Sequence, residues 1–355
     1  MKDALLLLIK PVSGTCNMRC AYCFYTDVTD NRSQKNLGVM TDETTELLIR
    51  QALKGGRTAV TFSFQGGEPT LWGLQRYRNF VACVKHFNVS GTKISYALQT
   101  NGLFIDDEWA EFLRGNKFLV GLSVDGLKDI HDANRRDIAG ERTFSRVMNA
   151  ARILKKHNVD FNILTVVHNE NADSGVRIYR YFKAQGFRHL QFIPCIDDFG
   201  VTETRLTSER YGKFLTSLFE AWYKDYTVGD YISIRHIDNL IGIMQGRLPE
   251  NCAQGGKCGV YYVVEADGSL YPCDFYCTDE RQLGSLTDET CFEVNGKHKE
   301  FLAGAGLPPA LCVACEHFAI CRGGCRRDRE PGLTVSKYCA AYKIYYAAVK
   351  RVLTA

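Results

Sequence analysis

No apolar run in this sequence approaches the roughly 20 residues that a membrane-spanning helix needs. The amino terminus, Met1-Lys-Asp-Ala-Leu-Leu-Leu-Leu-Ile-Lys-Pro11, has an apolar core too short for a signal peptide and no small-residue cleavage site. The chain therefore reads as soluble and cytoplasmic, with no membrane partner. Long basic runs are missing too: 44 Lys and Arg stand against 40 Asp and Glu, a net charge of +4. Electrostatics gives nucleic-acid binding no support. No internal repeat or low-complexity segment stands out, and 355 residues with a 45% apolar fraction suit two domains with a sizeable core.

Cysteine is what the chain has in excess, with 15 residues crowded toward the two ends. A disulfide scaffold would be a small secreted domain with an even count, so metal clusters are the better account. Cys16-x3-Cys20-x2-Cys23 follows an apolar run, in Ser13-Gly-Thr-Cys-Asn-Met-Arg-Cys-Ala-Tyr-Cys-Phe24. Soft thiolates select iron–sulfur clusters, zinc or copper(I). Three of them can hold three corners of a [4Fe–4S] cube and leave one iron open, whereas a closed zinc site wants four ligands.

Apolar, β-branched runs at 5–12, 59–65, 93–99, 118–124, 161–167 and 189–195 alternate with amphipathic stretches at 42–53, 74–86, 107–114, 143–157 and 174–185. Thr41-Asp42 and Asn158 read as cap signals. The alternation predicts parallel strands joined by right-handed crossovers, as a partial (β/α)6 barrel or a doubly wound sheet. The Cys16 loop, Gly66-Gly67-Glu68-Pro69 and Thr100-Asn101-Gly102 each follow a strand, and Ser123-Val-Asp125-Gly126 and Pro194-Cys195-Ile196-Asp197 each end one. All would open onto one rim, where parallel α/β folds place their chemistry. A polar loop is expected near 197–208, then helices at 209–226 and 238–245.

A second cysteine field runs Cys252-x5-Cys258, Cys273, Cys312-x2-Cys315-x5-Cys321-x3-Cys325 and Cys339. These eight suffice for two [4Fe–4S] clusters, although Cys312-x2-Cys315 is also zinc-knuckle spacing. Tyr261 to Cys273 reads as a β-hairpin turning at Asp267-Gly268, with Cys273 opposite Tyr262. Cys258 then lies roughly 13 Å away along an extended chain. Either the chain curls at Gly259 or Cys277 is a ligand. Cys83 and Cys291 are expected to be buried or incidental thiols; roles for Cys195 and Cys277 stay open.

The first cysteine loop resembles the signature of the radical S-adenosylmethionine (SAM) enzymes, and the second field resembles their SPASM extension. Further likeness, in Leu6-Leu-Leu-Ile-Lys-Pro, Cys23-Phe-Tyr, Phe64-Gln-Gly-Gly-Glu-Pro-Thr, Leu98-Gln-Thr-Asn-Gly, Lys117-Phe-Leu-Val-Gly-Leu-Ser, Gln191-Phe-Ile and Tyr271-Pro-Cys-Asp-Phe-Tyr, is to the anaerobic sulfatase-maturating enzymes. The resemblance implies an α/β fold: a partial (β/α)6 radical SAM barrel over 1–230, a connecting helical segment over 231–250 and a SPASM domain over 251–355. It implies three [4Fe–4S] clusters: Cys16, Cys20 and Cys23; Cys252, Cys258, Cys273 and Cys325; and Cys312, Cys315, Cys321 and Cys339. It also implies SAM contacts from Tyr22, Gly66, Gly67, Glu68, Ser123, Arg135 and Ile196.

Members of that family convert a cysteine or serine of a sulfatase Cys/Ser-x-Pro/Ala-x-Arg motif to Cα-formylglycine. A 5′-deoxyadenosyl radical removes a hydrogen from Cβ, and an electron and a proton then leave. The partners implied are a sulfatase polypeptide and an electron donor such as flavodoxin or ferredoxin. Asp274 is the expected base, because neighbours on a strand face opposite ways and Cys273 can hold iron while Asp274 faces the cavity. Crosslinking of a ribosomal peptide by another SPASM enzyme is the close alternative, and a zinc-holding binding protein the remote one. Nothing in the sequence selects cysteine over serine as the target.

Overall fold

The computed structural model describes residues 4–201, 204–304, 308–330 and 332–353. The first three residues of the amino-terminal run and residues 202 and 203 of the expected polar loop lie outside them. In chain order the strands are β1 (Leu5–Ile9), β2 (Met18–Cys20), β3 (Ala59–Phe64), β4 (Lys93–Thr100), β5 (Phe118–Ser123), β6 (Arg135–Asp137), β7 (Phe161–Val167), β8 (His189–Pro194), β9 (Ser233–Ile234), β10 (Tyr262–Val264), β11 (Ser269–Tyr271) and β12 (Gly284–Ser285). All six apolar runs become strands. The amphipathic stretches become helices with ends within a residue or so of those expected, except that the helix expected over 238–245 starts earlier, at Arg235–Met244.

Local chemistry accounts for the boundaries. Helix Asp42–Leu53 starts where the Thr41 hydroxyl accepts from Thr44 N at 3.1 Å, with Asp42 and Glu43 in the first turn. It buries Thr45, Leu48, Ile49, Ala52 and Leu53, one face at helical spacing. Helix Phe144–Lys156 stops before Asn158, which takes the left-handed conformation (φ 54°) that asparagine tolerates past a helix end.

The chain forms two compact units, each discontinuous in sequence. The first comprises residues 1–123, 135–161 and 259–304. Its strands β10, β1, β3, β4 and β5 are parallel neighbours in that order, and β11 and β12 extend the β10 side antiparallel. Leu7 aligns with Phe62 on one side and Tyr262 on the other, so β1 is an interior strand. An aromatic core packs under β3, with Phe64 edge-on to Tyr77 (4.8 Å) and Phe80 (5.0 Å). The second unit comprises residues 124–134, 162–258 and 305–355 and contains parallel β8 and β9 beside β7. There helices Ser208–Thr227 and Cys339–Leu353 approach closely at Gly212, where a Cβ would lie 3.2 Å from the Ala341 Cα. Residues 251–355 thus contribute to both units.

The Asp267-Gly268 hairpin forms, but its register differs by one from the expected alignment. Val263 pairs with Tyr271 and Val264 with Leu270, which sets Cys273 opposite Tyr261 rather than Tyr262. The turn carries three residues: Glu265 N donates to Ser269 O (2.9 Å), Gly268 N to Glu265 O (3.0 Å), and Gly268 has φ 87°. A left-handed glycine after a tight turn makes the bulged three-residue hairpin, not the two-residue one. The chain also curls at Gly259 (φ 70°), as one of the two readings of Cys258 required.

Candidate functional site

In the first unit the loops after β1, β3 and β4 are joined by backbone bonds. Gly67 N donates to Ser13 O (2.9 Å) and Glu68 N to Thr15 O (2.9 Å), so the Gly66-Gly67-Glu68 turn lies on the cysteine loop. A Cβ on Gly67 would fall 2.0 Å from the Thr15 carbonyl oxygen, a separation only glycine avoids. Cys16 Sγ accepts from Met18 N (3.3 Å) and faces Asn101 Nδ2 at 3.9 Å. Cys20 ends β2, which pairs antiparallel with β6, and its Sγ faces Arg135 Nη1 at 3.8 Å. Cys23 immediately precedes helix Phe24–Asp30. Burial pushes the Cys16 thiol up to about 12, so a cation bound by its thiolate displaces a proton.

Glu68 is 1% exposed and its carboxylate is fully engaged. Oε1 accepts from Thr70 N (3.0 Å), Thr70 Oγ1 (2.6 Å) and Thr100 Oγ1 (2.7 Å), while Oε2 accepts from Asn101 N (2.7 Å). Its side chain therefore ties the β3 loop to the β4 loop. Arg135 is buried, with its guanidinium 5.5 Å from the centre of the Tyr22 ring. Its neighbour Arg136 is exposed, whereas Arg135 is not. Ser123 is buried at the end of β5. Cys16, Cys20, Tyr22, Gly67, Glu68 and Arg135 are thus brought together by β1, β3, β4 and β6.

Asp274 opens a one-turn helix, Asp274–Tyr276, immediately after extended Cys273, rather than continuing a strand. It is 5% exposed and forms an ion pair with Lys10, whose side chain is fully buried. Gln65 Nε2 donates to Asp274 Oδ2 at 3.0 Å, and Lys10 Nζ lies 3.5 Å over the Tyr25 ring. Behind them Arg32 pairs with Glu265 (2.6 Å) and donates to Tyr25 Oη (3.1 Å); Tyr25 Oη in turn donates to Glu265. Cys277 is enclosed here, its thiol donating to Cys273 O at 3.5 Å. Burial raises that thiol well above the ordinary range.

In the second unit Cys312, Cys315, Cys321 and Cys339 line one pocket. Cys252, Cys258 and Cys325 line another. Among the described residues no three His, Cys, Asp or Glu side chains converge on a point suited to one metal ion. The thiols instead surround volumes, and soft-ligand sets around a volume fit a polynuclear cluster. Cys273 belongs to the first unit. Ile196 follows β8, half-buried, and its carbonyl accepts from Cys195 Sγ at 3.7 Å.

Residues 11–182 match the model of the Radical SAM superfamily. The cysteine-type anaerobic sulfatase-maturating enzyme of Clostridium perfringens strain 13 is 43% identical, over 96% of this chain and 95% of that protein. This chain belongs to the anaerobic sulfatase-maturating enzymes. The serine-type enzyme of Bacteroides thetaiotaomicron is 29% identical over 97% of the chain and 89% of that protein. A solved structure of native anSMEcpe with bound AdoMet and Cp18Cys peptide superposes with a TM-score of 0.92 at 40% identity, over 99% of this chain and 98% of that one. The fold is the α/β radical SAM fold with a SPASM extension.

In this sulfatase-maturating chain the sequence reading missed Lys10, Gln65, Tyr25, Arg32 and Glu265 as neighbours of Asp274. Lys10 and Gln65 each sit one position past a parallel strand, at its carboxyl end, and that placement was the available signal. Arg32 and Glu265 lie 233 residues apart and carried none.

Proposed function

We propose that the enzyme oxidises a cysteine, in preference to serine, of a sulfatase Cys-x-Pro/Ala-x-Arg motif to Cα-formylglycine. The observation that carries this reading is the 43% identity to a cysteine-type enzyme against 29% to a serine-type one, both over nearly the whole chain. Cys16, Cys20 and Cys23 would hold the SAM-binding [4Fe–4S] cluster. The Cys252, Cys258, Cys273 and Cys325 set and the Cys312, Cys315, Cys321 and Cys339 set would hold two auxiliary clusters. Bound there, cluster and SAM supply one-electron chemistry able to remove a hydrogen from Cβ of the target residue.

The chain's own residues do the rest. Arg135, a rigid fork of donors, suits the SAM carboxylate, and the neighbouring Tyr22 ring suits adenine. Gly66, Gly67 and Glu68 present backbone to the SAM amino group, while Ser123 and Ile196 complete the SAM contacts. Asp274 takes the proton from the target's sulfur as the thioaldehyde forms, and water then hydrolyses that group to the aldehyde with release of hydrogen sulfide. Lys10 offsets its charge and Gln65 fixes its orientation. The electrons come from a carrier such as flavodoxin or ferredoxin, and the work is cytoplasmic.

The test is mass spectrometry of Cys-x-Pro-x-Arg and Ser-x-Pro-x-Arg peptides incubated anaerobically with reconstituted enzyme, SAM and a strong reductant. A hydrazine-reactive aldehyde is expected chiefly on the cysteine peptide. Faster conversion of the serine peptide would reverse the preference. Deoxyadenosine without aldehyde on either would point to a different peptide substrate.

A further inference from the structure

The two cysteine-lined pockets of the second unit differ in what else surrounds them. Around Cys252, Cys258 and Cys325 stand four cationic side chains, Lys257, Arg322, Arg326 and Arg329. Around Cys312, Cys315, Cys321 and Cys339 the lining is largely aromatic and aliphatic, including Phe318, Tyr342 and Tyr346, with Lys343 and the imidazole of His317 as its basic groups.

The cations are not equivalent. Arg326 is offset by Glu330 at 3.7 Å, and Arg329 donates to Gly323 O at 3.3 Å. Arg322 and Lys257 have no ion-pair partner among the described residues. Arg322 is held against the pocket by its backbone: it takes the left-handed conformation (φ 49°) that a non-glycine residue adopts at some cost. Its Cβ region meets Gly256, where any side chain would come within 2.9 Å.

We infer that the cationic lining of the Cys252/Cys258/Cys325 pocket gives its auxiliary cluster the higher reduction potential of the two, with Arg322 as a charge of that lining that no acidic side chain among the described residues offsets. This rests on the proposed assignment of one auxiliary cluster to each pocket. The physical ground is that reduction adds a negative charge to a site already negative from its thiolates. Nearby cations stabilise the reduced form, and a low-polarity surround destabilises it. The cluster in the cationic pocket is therefore the better one-electron acceptor.

The experiment is an anaerobic redox titration of the reconstituted holoenzyme followed by electron paramagnetic resonance, with iron counted in the same samples. The wave that responds to added SAM belongs to the Cys16, Cys20 and Cys23 set; the other two are auxiliary. Arg322→Gln should move the more positive auxiliary wave to lower potential and leave the other in place, and Arg322→Lys should restore it. Lys343→Gln should move only the more negative wave. The inference is overturned if Arg322→Gln moves the lower wave, both waves equally, or neither, while iron stays near twelve per chain, about four per cluster. Iron near four per chain would instead remove the two-auxiliary-cluster reading, and the inference with it.

Discussion

Lys10 and Asp274 form an ion pair with side-chain exposures of 0% and 7%, although 264 positions separate them in the sequence. The parallel pairing of β1 with β10 makes this possible, because it places the chain that follows each strand at the same sheet end. Lys10 N donates to Val264 O at 2.8 Å, so the lysine is anchored to that very strand. A carboxylate held by a buried ammonium and a side-chain amide is positioned before any substrate arrives.

If Asp274 is the base, Asp274→Asn keeps its Gln65 contact and loses proton acceptance. Deoxyadenosine should still form, while aldehyde formation falls by about 10²-fold or more, the scale of a lost general base. Parallel chromatography of deoxyadenosine and mass spectrometry of the peptide decide it. Equal loss of both products would take Asp274 out of this role. Asn leaves the Lys10 charge without its partner, so Lys10→Met/Asp274→Asn serves as the folding control.

Gly67→Ala tests the contact between the glycine turn and the cysteine loop. Its Cβ meets the Thr15 backbone at 2.0 and 2.5 Å, and backbone cannot swing aside as a side chain can. The cysteine loop must shift, so iron should drop from about twelve to about eight per chain, the loss of one cluster. Full iron content with normal SAM binding would show that the loop tolerates the displacement.

Arg32 and Glu265 are buried partners behind the site, with 1% and 0% side-chain exposure. Removing one member of such a pair leaves an uncompensated charge and costs about 3–5 kcal/mol. Arg32→Met should lower the denaturation midpoint sharply, and Arg32→Met/Glu265→Gln should recover much of that loss. A double variant no better than the single one would show that the guanidinium contributes chiefly through Tyr25 and Cys277 O, to which it also donates.

Both ring nitrogens of His236 are buried and unpartnered among the described residues, and burial holds its pKa down at about 4 against the usual 6.5. The unfolded chain takes up a proton below pH 6.5 and the folded one does not until about pH 4. This contribution to stability is complete above pH 6.5 and declines as pH falls toward 4, by roughly 1.4 kcal/mol at about pH 5.5. His236→Phe should flatten the fall in thermal midpoint between about pH 7.5 and 5.5. Acid lability of the clusters is common to both proteins and cancels in the comparison. Parallel pH curves for the two would contradict the assignment.

The sequence by itself determined the strand and helix ladder, because alternating apolar runs and cap residues act over a few neighbours. It also marked the candidate residues for the chemistry: the Cys16 loop, the Gly66 turn and the carboxyl-terminal cysteines are short-range patterns with few alternative uses. Tertiary structure decided what those patterns touch. Only the insertion of β10 beside β1 brings Lys10 and Gln65 to Asp274, and only the three-residue bulged turn sets Cys273 opposite Tyr261. It showed that the Glu68 carboxylate is spent on neighbouring loops, and that one cysteine pocket is ringed by cations while the other is aromatic. Those facts depend on contacts across hundreds of residues and on single-residue register, and no local pattern encodes either.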